Sequence, residues 1–229
     1  MSTLLLLVLL LVPIGLGLGA QRRVQSAFAR YRAVANHAGV SGEEVARALL
    51  DAHGLQSVRL ELVPGVLTDR YDGERRTLGL SQEVAGERSV AAIGIAAHEV
   101  AHAYQDAERS RGYRLRQAVA VPLMRLAPWS GLIFIGGFWL GIPLLVLLSL
   151  LYGAGLVVFA IVTVPVELGA SRRAMTLLER NQLADDREVH DIRRVLRAAA
   201  LTYIAGVIQR LGWFLALVFI AVAVRGMTG

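Results

Sequence analysis

Cysteine is absent from this chain, so disulfide frameworks, thiolate nucleophiles and thiolate metal sites are excluded together. Lysine is absent too: all 24 basic residues are arginine. That points to a GC-rich bacterial genome more than to a function. Aromatic residues make up only 7% of the chain, too few to line the basic clusters with stacking platforms. The net charge of +6 therefore lacks the stacking platforms of a nucleic-acid binder, and nucleic acid is not an expected partner. Charge itself is missing over long stretches. Residues 3–20 form an uncharged, Leu-rich run, and none of residues 126–166 is charged. With 55% hydrophobic residues, the chain reads as an integral membrane protein with a modest soluble part.

Against that background one polar stretch stands out. His98-Glu99-Val100-Ala101-His102 lies inside the Ala- and Val-rich run 89–106, which has no proline and is long enough for a buried helix. On a helix, positions i and i+4 share a face, so both imidazoles can bind one zinc ion. Glu99 lies about 100° further round, where a carboxylate can take the proton of a zinc-activated water as general base. Three polar groups on a buried apolar helix are costly unless something pairs them.

Taken in order, residues 1–20 are read as a transmembrane anchor. No positive segment precedes it and Arg22, Arg23, Arg30 and Arg32 follow, so the N-terminus is expected outside and the following chain inside. Residues 21–125 form the expected cytoplasmic peptidase domain. Within it, 21–38 reads as a basic amphipathic helix, either separate or a continuation of the anchor. Ser41 and Glu44 make a capping box for a helix over 42–53, ended by Gly54. His37 and His53 carry no motif. Val58, Leu60 and Leu62 alternate with Arg59 and Glu61 as in a half-buried strand; 69–76 reads as a polar loop and 77–81 as a second strand. An extended substrate is expected to pair with one of these two strands. The motif helix is expected from Ser89 to near Arg109, with Gly112 beyond it.

Residues 126–166 are long enough for a hairpin of two spans, turning between Gly141 and Gly155. The first charge beyond it is Glu167. It is the expected third zinc ligand, because a site with two histidines needs one more protein ligand and an open position. Ser171, four residues on, shares its face and can hydrogen-bond a ligand. Residues 167–198 return to the cytoplasm with a charged helix from Asp185; His190 there is an alternative ligand. A fourth span covers 199–225, interrupted by Gln209 and Arg210. The two charged regions carry 15 arginines (21–125) and 7 (168–203), a positive-inside distribution.

Four segments together resemble the YugP-type family of membrane-bound neutral zinc metallopeptidases. They are Val63–Asp72 (VPGVLTDRYD), Ala96–Gln105 (AAHEVAHAYQ), Thr163–Ala174 (TVPVELGASRRA) and Ala200–Tyr203 (ALTY). The resemblance implies a gluzincin-like α+β domain on a mainly α membrane protein with four transmembrane helices. Zinc would be held by His98, His102 and Glu167, with Glu99 as general base. Tyr203, shortly after the charged helix, is a candidate hydrogen-bond donor to the oxyanion. Ala101, Arg70 and Gly169 depart from the family pattern, where Gly, His and Asn or Asp are usual. The expected activity is endopeptidase cleavage of membrane-anchored or membrane-proximal polypeptides at the cytoplasmic face of a bacterial plasma membrane. Two other readings are an HtpX-type quality-control peptidase, which usually carries an acid at the position of Ser171, and a metal-binding scaffold that recruits partners. A transporter is disfavoured, since charges outside the loops are confined to Arg210.

Overall fold

The computed structural model describes residues 2–228, with side chains for 3–222. The chain is mainly helical with one small sheet. In chain order it runs α1 (Ser2–Arg32), α2 (Gly42–Ala52), β1 (Arg59–Val63), β2 (Arg70–Asp72), β3 (Thr77–Ser81), α3 (Gln82–Gly86), α4 (Val90–Ala107), α5 (Arg111–Trp139), α6 (Pro143–Arg180) and α7 (Asp186–Thr228). It divides into two compact units. One comprises Gln21–Tyr113 and Val166–Ala200; the other comprises Met1–Ala20, Arg114–Pro165 and Leu201–Gly229.

In the mixed unit, local signals set the helix starts. The Ser41 hydroxyl accepts from Glu44 N (3.2 Å), and the Glu44 carboxylate accepts from Ser41 N (2.6 Å), closing the capping box of α2. Ser89 caps α4 by accepting from Ala92 N, and Asp185 caps α7 by accepting from Glu188 N. Every residue of α4 from Val90 to Gln105 is buried, as suits a helix apolar on nearly all sides. Leu49, Leu50, Leu78, Leu80, Leu178 and Ile192 share the core with it.

The sheet has the order β1-β3-β2, with β1 parallel and β2 antiparallel to β3. Thr77–Ser81 is therefore the middle strand, fully buried and paired on both sides, and cannot receive a substrate strand as expected. The loop expected over 69–76 contains β2, a three-residue edge strand too short and polar to show an apolar period. The alternation expected at 58, 60 and 62 fades outward along β1: Val58 is buried, Leu60 half-buried and Leu62 exposed at the strand's end. The motif helix spans Val90–Ala107 and so ends near Arg109 as expected, with Arg109 itself at a left-handed φ of 52°. Gly112 lies inside α5.

The other unit is built from apolar helices. Among the described residues, four helices are long and apolar enough to cross a membrane, and at most 17% of each apolar window is buried within the protein. So much exposed apolar surface needs lipid around it. The hairpin turns at the early end of the expected window, where Gly141 adopts φ 62° between α5 and α6. Gly212 of α7 packs so closely on α1 that a Cβ there would sit 2.7 Å from Leu9 O, the close approach small residues permit between membrane helices. Arg210 donates to the Gly206 carbonyl one turn back (3.2 Å).

Candidate metal centre

The His98–His102 spacing on α4 turns both imidazoles to the same side, where α6 supplies Glu167. Glu167 Oε2 lies 3.1 Å from His98 Nε2 and 3.3 Å from His102 Nε2, and all three residues are buried. His102 Nδ1 is 2.9 Å from Gln105 Oε1, while Gln105 Nε2 donates to Val166 O (3.0 Å). The amide orientation thus makes Nδ1 of His102 a donor, and a ring that is neutral, as a metal ligand must be, then carries its lone pair on Nε2. That lone pair faces a carboxylate oxygen. Two acceptors at such a distance in a buried site repel unless a cation lies between them.

The donor set fits zinc. A tetrahedral ion with bonds of about 2.0 Å separates its ligand atoms by about 3.3 Å, close to the distance of Glu167 Oε2 from each imidazole. Both histidines also have their second ring nitrogen engaged, since Ser171 Oγ lies 3.3 Å from His98 Nδ1. Such outer partners fix the tautomer and orientation of ligating imidazoles.

Glu99 stands beside this cluster. Its Oε2 accepts from the backbone N–H of Tyr71 on β2 (2.9 Å). Burial pushes its carboxyl up to about 7, before any metal charge is counted; His98 opposes the shift and the negative charges of Glu167 and Asp69 add to it. A carboxyl near neutrality can both take and return a proton. Asp69, itself raised by burial, accepts from Ser81 N (2.7 Å) and so pins the turn that leads into β2. The Tyr71 hydroxyl donates to Asp106 (2.9 Å), tying β2 to the end of α4. The free edge of β2 thus faces the candidate base.

The other histidines of the mixed unit lie outside this cluster. His190 is exposed on α7 and is not brought into the cluster. His37 pairs with Glu188 (2.6 Å), and His53 stacks on Tyr104 with ring centroids 4.2 Å apart. Tyr203 is half-buried on α7, in the apolar unit.

The model of a family described as "Putative neutral zinc metallopeptidase" matches residues 5–222. The chain belongs to this family. A relative of the neutral zinc metallopeptidases, the "Putative membrane protease YugP" of Bacillus subtilis (strain 168), is 38% identical over 209 residues, covering 91% of this chain and 92% of its own. No solved structure matches.

For this member of the neutral zinc metallopeptidase family, sequence reasoning missed Gln105 and Tyr71. Gln105 follows His102 by three positions, the spacing of side-chain neighbours on a helix, so the signal was present. It also supplies polar support where Gly169 has no side chain: a Cβ at Gly169 would lie 3.4 Å from Gln105 Nε2. Tyr71 acts through its backbone and leaves no side-chain signal. Gln105→Ala should weaken zinc binding by about 10- to 100-fold while the protein stays folded. Competition with a chelator of known affinity measures this; unchanged affinity would show that Gln105 does not orient His102.

Proposed function

We propose that this chain is a zinc-dependent endopeptidase with a gluzincin-like site, hydrolysing peptide bonds of membrane or membrane-proximal proteins. The observation that carries the reading is the convergence of His98, His102 and Glu167 beside a buried Glu99. In this reading the first three residues hold zinc, which when bound supplies Lewis acidity to water and to the scissile carbonyl. Glu99 takes one proton from the attacking water as the new C–O bond forms. It then delivers that proton to the amine nitrogen as the C–N bond breaks. Gln105 and Ser171 keep the two imidazoles in the orientation that aims Nε2 at the ion. Tyr203 donates a hydrogen bond to the oxyanion of the tetrahedral intermediate. The extended substrate lies along the outer edge of β2, whose Tyr71 N–H already points at Glu99.

The membrane shapes substrate choice. Glu167 is the first charged residue after the uncharged stretch 126–166, so the reaction takes place within about one or two helical turns of the bilayer surface. A segment next to a transmembrane helix reaches such a site; a folded soluble domain does not. The segments 21–113 and 166–200 belong to one compact unit, which supports their sharing a side of the membrane. Their richness in arginine supports a cytoplasmic side of a bacterial plasma membrane, with the N-terminus outside.

Glu99→Gln should keep its zinc and lower turnover by at least about 100-fold, since an amide cannot accept the proton. Tyr203→Phe should lower kcat by about 10-fold or more with little change in KM. A zinc-loaded Gln variant that cleaves an anchored peptide at the wild-type rate would remove Glu99 from the mechanism, and unchanged kinetics would remove Tyr203. Reporter fusions after residues 85 and 185 should both read cytoplasmic; disagreement between them would break the topology and the third ligand at once.

A further inference from the structure

Between α6 and α7, within the mixed unit, lies a groove of roughly 340 Å³ that the zinc chemistry does not use. Leu168, Arg172 and Met175 line it from α6 at helical spacing i, i+4 and i+7. Arg193, Leu196 and Arg197 line it from α7 at i, i+3 and i+4. Each wall therefore offers a mixed face of apolar and guanidinium groups, and no acidic side chain lines the groove.

The neighbouring arginines are paired, which sets these three apart. Arg173 bonds both carboxylate oxygens of Glu108 (2.6 Å for Nη1), and Arg194 donates to the Tyr31 hydroxyl (3.0 Å) and pairs with Asp191. The side chains of Arg172, Arg193 and Arg197 have no hydrogen bond or ion pair among the described residues. Three like charges held around one cleft repel one another, and an anion placed there relieves the repulsion. Guanidinium forks match phosphate oxygens in particular.

The location decides which anion. Leu168 is the second residue beyond the uncharged stretch 126–166, and Ala200, which also lines the groove, is followed by the uncharged stretch 201–208. Both walls thus lead straight into apolar segments, at the level where lipid phosphates lie. We propose that this groove binds the phosphate headgroup of an anionic phospholipid, with the arginines on the phosphate and Leu168, Met175 and Leu196 against the glycerol and the first acyl carbons. Ser171, which also lines the groove, lies within hydrogen-bond reach of His98 Nδ1, so the lipid sits one side chain away from the zinc cluster. The proposal rests on the membrane reading and not on the peptidase chemistry; loss of lipid binding with cleavage intact, or the reverse, separates the two.

The test uses the full chain in an uncharged detergent. It is offered equal amounts of dioleoylphosphatidylglycerol and dioleoylphosphatidylcholine, and the retained lipids are counted by native mass spectrometry. The wild type should prefer phosphatidylglycerol, and Arg172→Gln/Arg193→Gln/Arg197→Gln should lose at least about 10-fold of that preference. Arg59→Gln/Arg75→Gln/Arg76→Gln, which changes the net charge equally but outside the groove, should keep it. Should the groove triple variant not fold, Arg197→Gln against Arg197→Lys decides, with the preference lowered in the first and retained in the second. An equal loss in both triple variants, or no loss in either, overturns the proposal. So does arginine-dependent binding of a soluble hexaglutamate peptide without lipid preference, which would assign the groove to substrate.

Discussion

The constraint on which the site depends is the meeting of acceptors in a buried place. Gln105 fixes the proton of His102 on the ring nitrogen away from Glu167, so a lone pair and a carboxylate oxygen face each other across 3.3 Å. A proton or a metal ion placed between them removes that repulsion. The apolar helix α4 makes the demand sharper, because burial on all sides leaves no water to dilute the repulsion. The same burial serves Glu99. A carboxyl removed from water, near two other carboxyls, is held close to neutrality and can exchange a proton at little cost.

The sheet and the membrane helices are best understood from this cluster outward. The edge strand β2 is anchored at Asp69 and at the Tyr71 hydroxyl, and between those two points its backbone reaches Glu99. The third candidate ligand comes from the far end of the chain, where α6 leaves its apolar stretch and enters the mixed unit. In the proposed topology, the two segments separated by the apolar hairpin meet on one side of the bilayer. That requirement accounts for a hairpin that returns the chain to the face it left.

Much of this was legible in the sequence because the decisive patterns are local. The i, i+4 histidines, the Ser41–Glu44 box and the uncharged runs each specify their element without help from the rest of the fold. The elements that escaped reading are those that tertiary partners decide. β2 is three residues of polar character and exists because β3 offers it an edge. The hairpin turn lies at Gly141 because α5 starts far back, at Arg111, and so needs only the first third of the uncharged stretch. In the site itself, residue type revealed the candidate ligands, whereas the backbone donor of Tyr71 could not be seen.

The central claim is that Glu167 completes a zinc site with His98 and His102, and elemental analysis of purified, detergent-solubilised protein tests it most directly. The account predicts one zinc per chain in the wild type and, in Glu167→Ala, loss of most of that zinc, because two neutral imidazoles lack the charge and geometry to hold the ion. A folded Glu167→Ala protein carrying a full equivalent of zinc would contradict it.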